Sequence, residues 1–318
     1  MTHQEPAPTG GAVLPPDAGG EVGTSAARGD SMAGRIAAGI LASPKASIAA
    51  LVCVFLIGAA LGAPVLAPQD PYDLTAIDIF DSRLPPMSVG YEGQRYVLGT
   101  DTQGRDMLSA MLYGLRTSLS VGLTAGLLAL AVGTALGLVA AWAGGRIDAL
   151  IMRTVDLMLG FPTILVALMI LVVFGQGTWK VILALVFVQW AYFARAVRGA
   201  ALVEIGKDYV EAARCLGLSS GRILFAHLLP NCLPPLIVIG TIQVASAIAA
   251  EATLSFLGIG LPITEPSLGL LIANGYQVLL AGLYWMSVYP GLLLLALVFA
   301  INVVGDRLRE ILNPRLVR

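Results

Sequence analysis

The side chains able to carry acid–base, nucleophilic or metal chemistry are few and scattered along the 318 residues. His3 lies near the start and His227 in a polar stretch. His227 has no neighbouring ligand set, so it reads as a packed or interfacial residue and no metal site is expected. Cys53, Cys215 and Cys232 fall in an apolar run, a polar loop and the start of another apolar run, which is neither a disulfide framework nor a metal knuckle. No Gly-x-x-x-x-Gly-Lys-Ser/Thr loop is present to cradle nucleotide phosphates. A membrane-embedded enzyme would need a catalytic cluster that the chain lacks. An ion-coupled carrier or channel would need polar groups at mid-membrane, and Gln189, Gln243 and Asn274 read better as interhelical hydrogen bonds. One carboxylate stands apart. Glu251 closes an apolar run, and its depth depends on where the helix starts: about 34 Å along it from Leu228, at the far interface, or about 25 Å from Pro234, slightly inside. Inside the bilayer it would be a candidate gate or path residue.

The elements that must position these residues are set by composition. The chain is 57% hydrophobic and 12% charged, against about 25% charged in a soluble domain, so it is an integral membrane protein. A net charge of -1 and a pI near 6.1 give no nucleic-acid surface. Residues 1–45 form an N-terminal tail, with a Pro-, Gly-, Ala- and Ser-rich part to about residue 34 expected to be disordered. Uncharged runs predict spans at Ile48–Ala67, Leu119–Ala143, Leu157–Gly175, Val181–Ala194, Leu228–Ala250 and Trp285–Gly305. Residues 68–115 make a polar outer loop between the first two. Gly122, Gly126, Gly133 and Gly137 recur four apart in the second span, a spacing that lets helices approach closely in lipid, within this chain or in a partner. Pro162 should bend the start of the third span, and the short Val181–Ala194 run requires Lys180 and Arg195 to snorkel. Residues 266–305 could cross twice, so charge decides the count. With both termini inside, 14 Lys and Arg fall on that side and 5 on the other. Six spans satisfy this bias, leaving Leu268–Leu280 as a surface or re-entrant helix and 306–318 as a cytoplasmic tail.

The most informative polar stretch is 207–230. Asp208 can cap a helix with Glu211 at N3, a variant capping box, and Glu211 also suits the positive end of the dipole. Ala212 and Ala213 are too small to hold a neighbouring surface away, and Gly217 is a natural left-handed stop. Ser219 or Ser220 can then cap a second helix with Ile223, Leu224, Phe225, Leu228 and Leu229, leading through Pro230 into the fifth span.

These residues resemble the EAA loop of permease subunits in bacterial ABC importers. Glu211, Ala212, Ala213, Gly217, Leu229 and Pro230 stand at the family's spacings. His227 replaces the usual Ile, which is similar to the His-x-Leu-Pro-Asn ending of the dipeptide, oligopeptide and nickel permease branch. Gly99, Thr100, Asp101, Gly104, Arg105 and Asp106 match that branch's Gly-Thr-Asp-x-x-Gly-Arg-Asp run, and Leu254 to Gly258 its Leu-Ser-Phe-Leu-Gly run. The outer motif could touch a substrate-binding protein or gate the mouth, and a capped turn held by an Arg–Asp pair explains it equally well. The resemblance implies an all-α integral membrane protein with six transmembrane helices and the type I ABC importer permease fold, its transport core at 116–305. It implies a coupling helix at 207–230 that docks on a separate ATPase. It further implies an inner-membrane importer of two different permeases, two ATPase subunits and an extracytoplasmic binding protein. ATP and Mg would sit on partner subunits, with no cofactor bound by this chain and no enzyme activity in it. Peptides are the substrate class implied, with nickel, opines and glutathione carried by close relatives.

Overall fold

The computed structural model describes residues 32–73 and 77–312. The expected disorder of the first residues and the last positions of the C-terminal tail lie outside the described residues. Within them the chain is helical apart from one small hairpin. Helix α1 (Met32–Leu41) precedes α2 (Pro44–Leu61), which stops at Gly62, and one further turn, α3 (Ala63–Leu66), follows. The tail expected through residue 45 is therefore helical from Met32, and the first span both starts and ends earlier than its uncharged run. Strands β1 (Ser88–Val89) and β2 (Arg95–Tyr96) pair antiparallel in the outer loop.

The central element is α4 (Met107–Ala143), 37 residues long. It begins at Met107 and not after 115, because Asp106 caps it: the Asp106 carboxylate accepts from Ser109 N at 2.7 Å and from Ser109 Oγ at 2.6 Å. Its glycines serve two neighbours. Gly122 and Gly126 face Ile248 and Val244 of α10 (Leu229–Phe256), whereas Gly133 and Gly137 face Trp190, Phe193, Ala194 and Val197 of a later helix, α7. The close approaches are thus made inside this chain.

Between them, α5 (Gly145–Gly160) and α6 (Thr163–Phe174) form one broken pair bent by 92° at Phe161-Pro162. Proline fixes its own φ and drives the residue before it out of the helical region, so the bend falls where the sequence places it. Helix α7 (Thr178–Ile205) runs well past the uncharged stretch. Its cations do not end the helix: Arg195 bonds Asp156, and Arg198 holds Asp148 through Nε and Nη2, tying α7 to α5. Arg195, expected to snorkel, is paired laterally with Asp156 and both side chains stay more than half exposed.

After α8 (Asp208–Cys215) and the single turn α9 (Ser220–Arg222), six residues, Ile223–Leu228, take π-helical geometry and continue into α10. The widened turn ends where Pro230, with no N–H and a ring that crowds the carbonyl four residues back, must be accommodated. Helix α11 (Leu268–Gln277) is about 15 Å long, too short to cross. Most of it packs inside the chain, with Tyr276 and Gln277 left exposed at its end: Leu268, Leu270 and Leu271 are buried, Gly269 abuts the Ala252 backbone of α10, and Gly275 abuts Met286 and Ser287 of α12 (Trp285–Leu312). At the other end of α12, Arg307 Nε donates to the Gly39 carbonyl of α1 at 3.0 Å.

Five of these helices are long and apolar enough to span a bilayer, and the bent α5–α6 pair makes a sixth if taken as one crossing. Leu51, Phe55, Val173 and Phe299 lie exposed on their outer faces, which in water would be a large apolar patch and in lipid is solvated surface.

Contact between α4 and α7 should be the stability-limiting one. A Cβ at Gly137 would lie 2.6 Å from the Ala194 carbonyl oxygen and 2.9 Å from Val197 Cβ, and backbone cannot step aside. Gly137→Val should lower the unfolding free energy in detergent by roughly 1–3 kcal/mol. Gly199→Ala, with nothing within 4 Å, should leave the melting temperature unchanged or slightly raised. Equal melting of the two variants would refute the close contact.

Candidate functional site

The loop at 207–230 is a rigid corner. Lys207 is extended (φ -92°, ψ 149°) and is itself the N-cap residue, so α8 begins one residue earlier than a capping box would require. Asp208 and Glu211 both fall in the first turn, where they complement the dipole, and the Asp208 cap expected from sequence does not form. The corner is held instead by Glu204, which accepts from Lys207 Nζ at 2.6 Å and from the Tyr209 hydroxyl at 2.8 Å. Burial and the Glu204 carboxylate push the Tyr209 phenol up to about 12, so it stays a donor at every physiological pH. At the far end Gly217 has φ +71°. Gly217 N donates to the Arg214 carbonyl at 2.9 Å and Leu218 N to the Ala213 carbonyl at 3.2 Å, a Schellman closure that only a left-handed residue permits.

The two alanines of the motif divide. Ala213 is buried with Val210 against Ile223 and Leu228, whereas Glu211 and Ala212 are exposed. Leu216 joins that outer face with 79% of its surface open. Arg214 stacks on Trp142 at the end of α4, 4.6 Å from the ring centroid, linking the corner to the central helix. Neither Leu216 nor Trp142 was legible as a site residue, since each reads locally as an ordinary apolar position. His227 is half-buried in the π-helical turn, and its carbonyl accepts from Asn231 Nδ2 at 2.7 Å. Leu229 is half-buried and Pro230 exposed. Among the described residues no group of His, Cys, Asp or Glu could hold a metal.

The outer motif points inward. Asp101 accepts from Gln103 N and Arg105 N, and pairs with Arg105 Nε at 2.9 Å. Thr100 Oγ1 donates to the Asp81 carbonyl at 2.6 Å. Gly99 and Gly104 pack against the carbonyls of Leu84 and Asp78, and Asp106 caps α4. Thr100, Asp101, Arg105 and Asp106 are all buried. Of the two readings open at the sequence level, this geometry is that of the capped turn.

Glu251 faces neither lipid nor solvent. It is fully buried where α4, α10 and the start of α11 meet, accepting from Ser118 Oγ at 2.8 Å and Ser255 Oγ at 2.7 Å, with Ser267 also in hydrogen-bonding reach. It does not line the groove on this face of the chain. That groove, about 920 Å³, lies between α2, α4, α10 and α12 and runs from Arg116 to Leu138 along α4, with Phe225 and Leu229 beside the coupling corner at its other end. The span along α4 is about 33 Å, close to the thickness of a bilayer's hydrocarbon core.

A helical bundle with several crossings, a polar corner on one side and a membrane-deep groove defines a multi-pass membrane transport subunit. Residues 133–318 match the family described as binding-protein-dependent transport system inner membrane component, and the chain belongs to that family. It is 38% identical over 267 residues to the di/tripeptide transport system permease protein DppC of Pseudomonas aeruginosa, covering 84% of this chain and 86% of that one. To a putative peptide transport system permease protein of Brucella suis it is 44% identical over 226 residues, covering 70% and 75%. Dipeptide transport system permease protein DppC of Bacillus subtilis is 35% identical over 267 residues, covering 84% and 81%. The fold is similar to a chain of the MetNI methionine ABC transporter in an inward-facing conformation, with TM-score 0.53 and 22% identity over 64% of this chain and 97% of that one.

Removing the Glu251 carboxylate should expose what it holds. Glu251→Leu strands buried Ser118 and Ser255 hydroxyls and should cost on the order of 2 kcal/mol in thermal unfolding, whereas Glu251→Gln keeps an acceptor for one of them and should lose less. A Leu variant as stable as the wild type would show that the serines have other partners.

Proposed function

We propose that this chain is the permease subunit of a binding-protein-dependent ABC importer that carries short peptides across the inner membrane. The peptide class is supported by the transport system names of relatives that align over most of both chains. ATP hydrolysis belongs to separate ATPase subunits, where ATP and Mg would bind, and two such subunits, a second permease and an extracytoplasmic binding protein complete the machine. The groove along α4 and α10 is the wall this chain contributes to the path, closed by the second permease.

The observation that carries the coupling role is the corner at 207–230. Its inner face is cemented by Val210, Ala213, Ile223 and Leu228, its ends are fixed by Glu204 and by the Gly217 closure, and its outer face offers Glu211, Ala212 and Leu216. A shallow face with one exposed leucine and an alanine too small to hinder suits a short helix seated in a groove of another protein. Because α10 continues from the π-helical turn beside this corner, a push on α8 reaches α10 through packed side chains. The outer motif, by contrast, supports the loop from within and stands ready to hold the surface that a binding protein would meet.

Two outcomes test this reading. In proteoliposomes carrying the complete importer, Gly217→Val places a β-branched residue at φ > 0, at a cost of roughly 1–2 kcal/mol, and should give a folded, inserted permease with transport lost and ATP hydrolysis uncoupled or its ATPase released. Glu211→Ala should do the same more mildly. Wild-type uptake by Gly217→Val with normal ATP consumption would remove the coupling assignment. Second, the charge bias supports a cytoplasmic position for both termini and 207–230, so tags after residue 90, after Gly177 and at Pro262 should be reached by an impermeant reagent from outside. Protection of the Pro262 tag would overturn that topology.

A further inference from the structure

Among the residues lining the groove, a single side chain is charged. Arg116 stands on α4 two residues outward of Ser118, about 3 Å along the axis, and so at nearly the depth of the buried Glu251 that Ser118 binds. It is exposed toward the groove and takes part in none of the ion pairs among the described residues. Glu251 is not its counter-ion, because that carboxylate is fully enclosed and engaged by serines on the other side of α4. Tyr113, one turn earlier, lies within electrostatic reach of both Arg116 and Asp70, and neither bonds the guanidinium.

The rest of the wall is apolar or neutral. Its other polar side chains include Ser120, Thr134 and Thr241; the Thr134 hydroxyl has no hydrogen-bond partner, and Thr241 bonds back to the Val238 carbonyl. An arginine is costly against lipid and stable against an aqueous cavity or an anion. A planar guanidinium presents parallel donors that match a carboxylate in two bonds. The wall therefore offers a partner to the carboxylate end of a zwitterion and none to its ammonium end.

We propose that Arg116 receives the free C-terminal carboxylate of the peptide as it passes from the outer mouth into the groove, and is the specificity-determining charge of this permease. The proposal rests on the groove being the wall of the transport path. The walls below Arg116 are apolar or neutral and single out no charged side chain, so the charge at the mouth reads a feature that every peptide with a free C-terminus carries.

The test uses the complete importer in proteoliposomes, with trialanine as substrate and Arg116→Gln and Arg116→Lys as variants. At saturating binding protein, Arg116→Gln should lower the maximal uptake rate on the order of tenfold, the loss of one charge-assisted pair. The half-saturating concentration of binding protein and the basal ATPase rate should not change, and Arg116→Lys should recover most of the rate. Trialanine amide, loaded on the same binding protein, should be carried at the same low rate by wild type and Arg116→Gln. The proposal is overturned if Arg116→Gln carries trialanine like the wild type. It is also overturned if Arg116→Gln fails to assemble with the second permease, which would make the arginine a subunit contact, or if its defect appears only in vesicles containing anionic lipid, which would make it a headgroup contact. Wild-type importer that takes up no peptide would instead overturn the peptide reading itself.

Discussion

The close approach of α4 to two neighbours is the constraint on which the rest of this structure depends. Lipid is as apolar as a leucine side chain, so burying leucine between helices gains little there, and association must come from van der Waals contact at short range and from hydrogen bonds. Gly133 and Gly137 bring α4 onto the backbone of α7, while Gly122 and Gly126 admit Ile248 and Val244 of α10. One helix thereby fixes the separation of two others. Because the glycines are spent on contacts inside the chain, the adjoining side of α4, carrying Leu123, Leu127 and Leu130 with Gly126 at its edge, is left to line the groove.

Polar groups inside such a bundle have no water to fall back on, and here they join segments remote in sequence. Glu251 collects Ser118 from α4 and Ser255 from its own helix, beside Ser267 at the start of α11. Arg105 pairs with Asp101 in the outer loop, and one of its terminal nitrogens lies 3.5 Å from the Ile263 carbonyl in the loop after α10. Nearer the surface, the part-exposed Arg198 and Asp148 close α7 against α5. Buried ion pairs contribute little net stability over an apolar contact, yet breaking one leaves a charge uncompensated, so they act to specify a single arrangement.

The polar corner at 207–230 shows how a short polar helix is made stiff without a large core. A packed inner face, a carboxylate at one end and a left-handed glycine at the other leave α8 few ways to move alone. Movement imposed on its outer face must then pass to α10 or, through Arg214 and Trp142, to α4.

Sequence alone determined the class, the helical content and the location of the polar corner, because each depends on local signals: uncharged runs, the Glu211 to Pro230 spacing, and Gly217, whose positive φ is a property of one residue. It also placed the bend at Phe161-Pro162. Tertiary structure decided what depended on distant partners. Asp106 starts α4 early because a cap acts before apolar periodicity begins; Arg195 and Arg198 remain inside a helix because aspartates of α5 meet them; α11 is buried because glycines at 269 and 275 fit it against α10 and α12. Whether Glu251 faces water, lipid or protein, and whether Arg116 is paired or open, turns on the three-dimensional meeting of α4, α10 and α11. No spacing along the chain encodes the angle at which those helices cross.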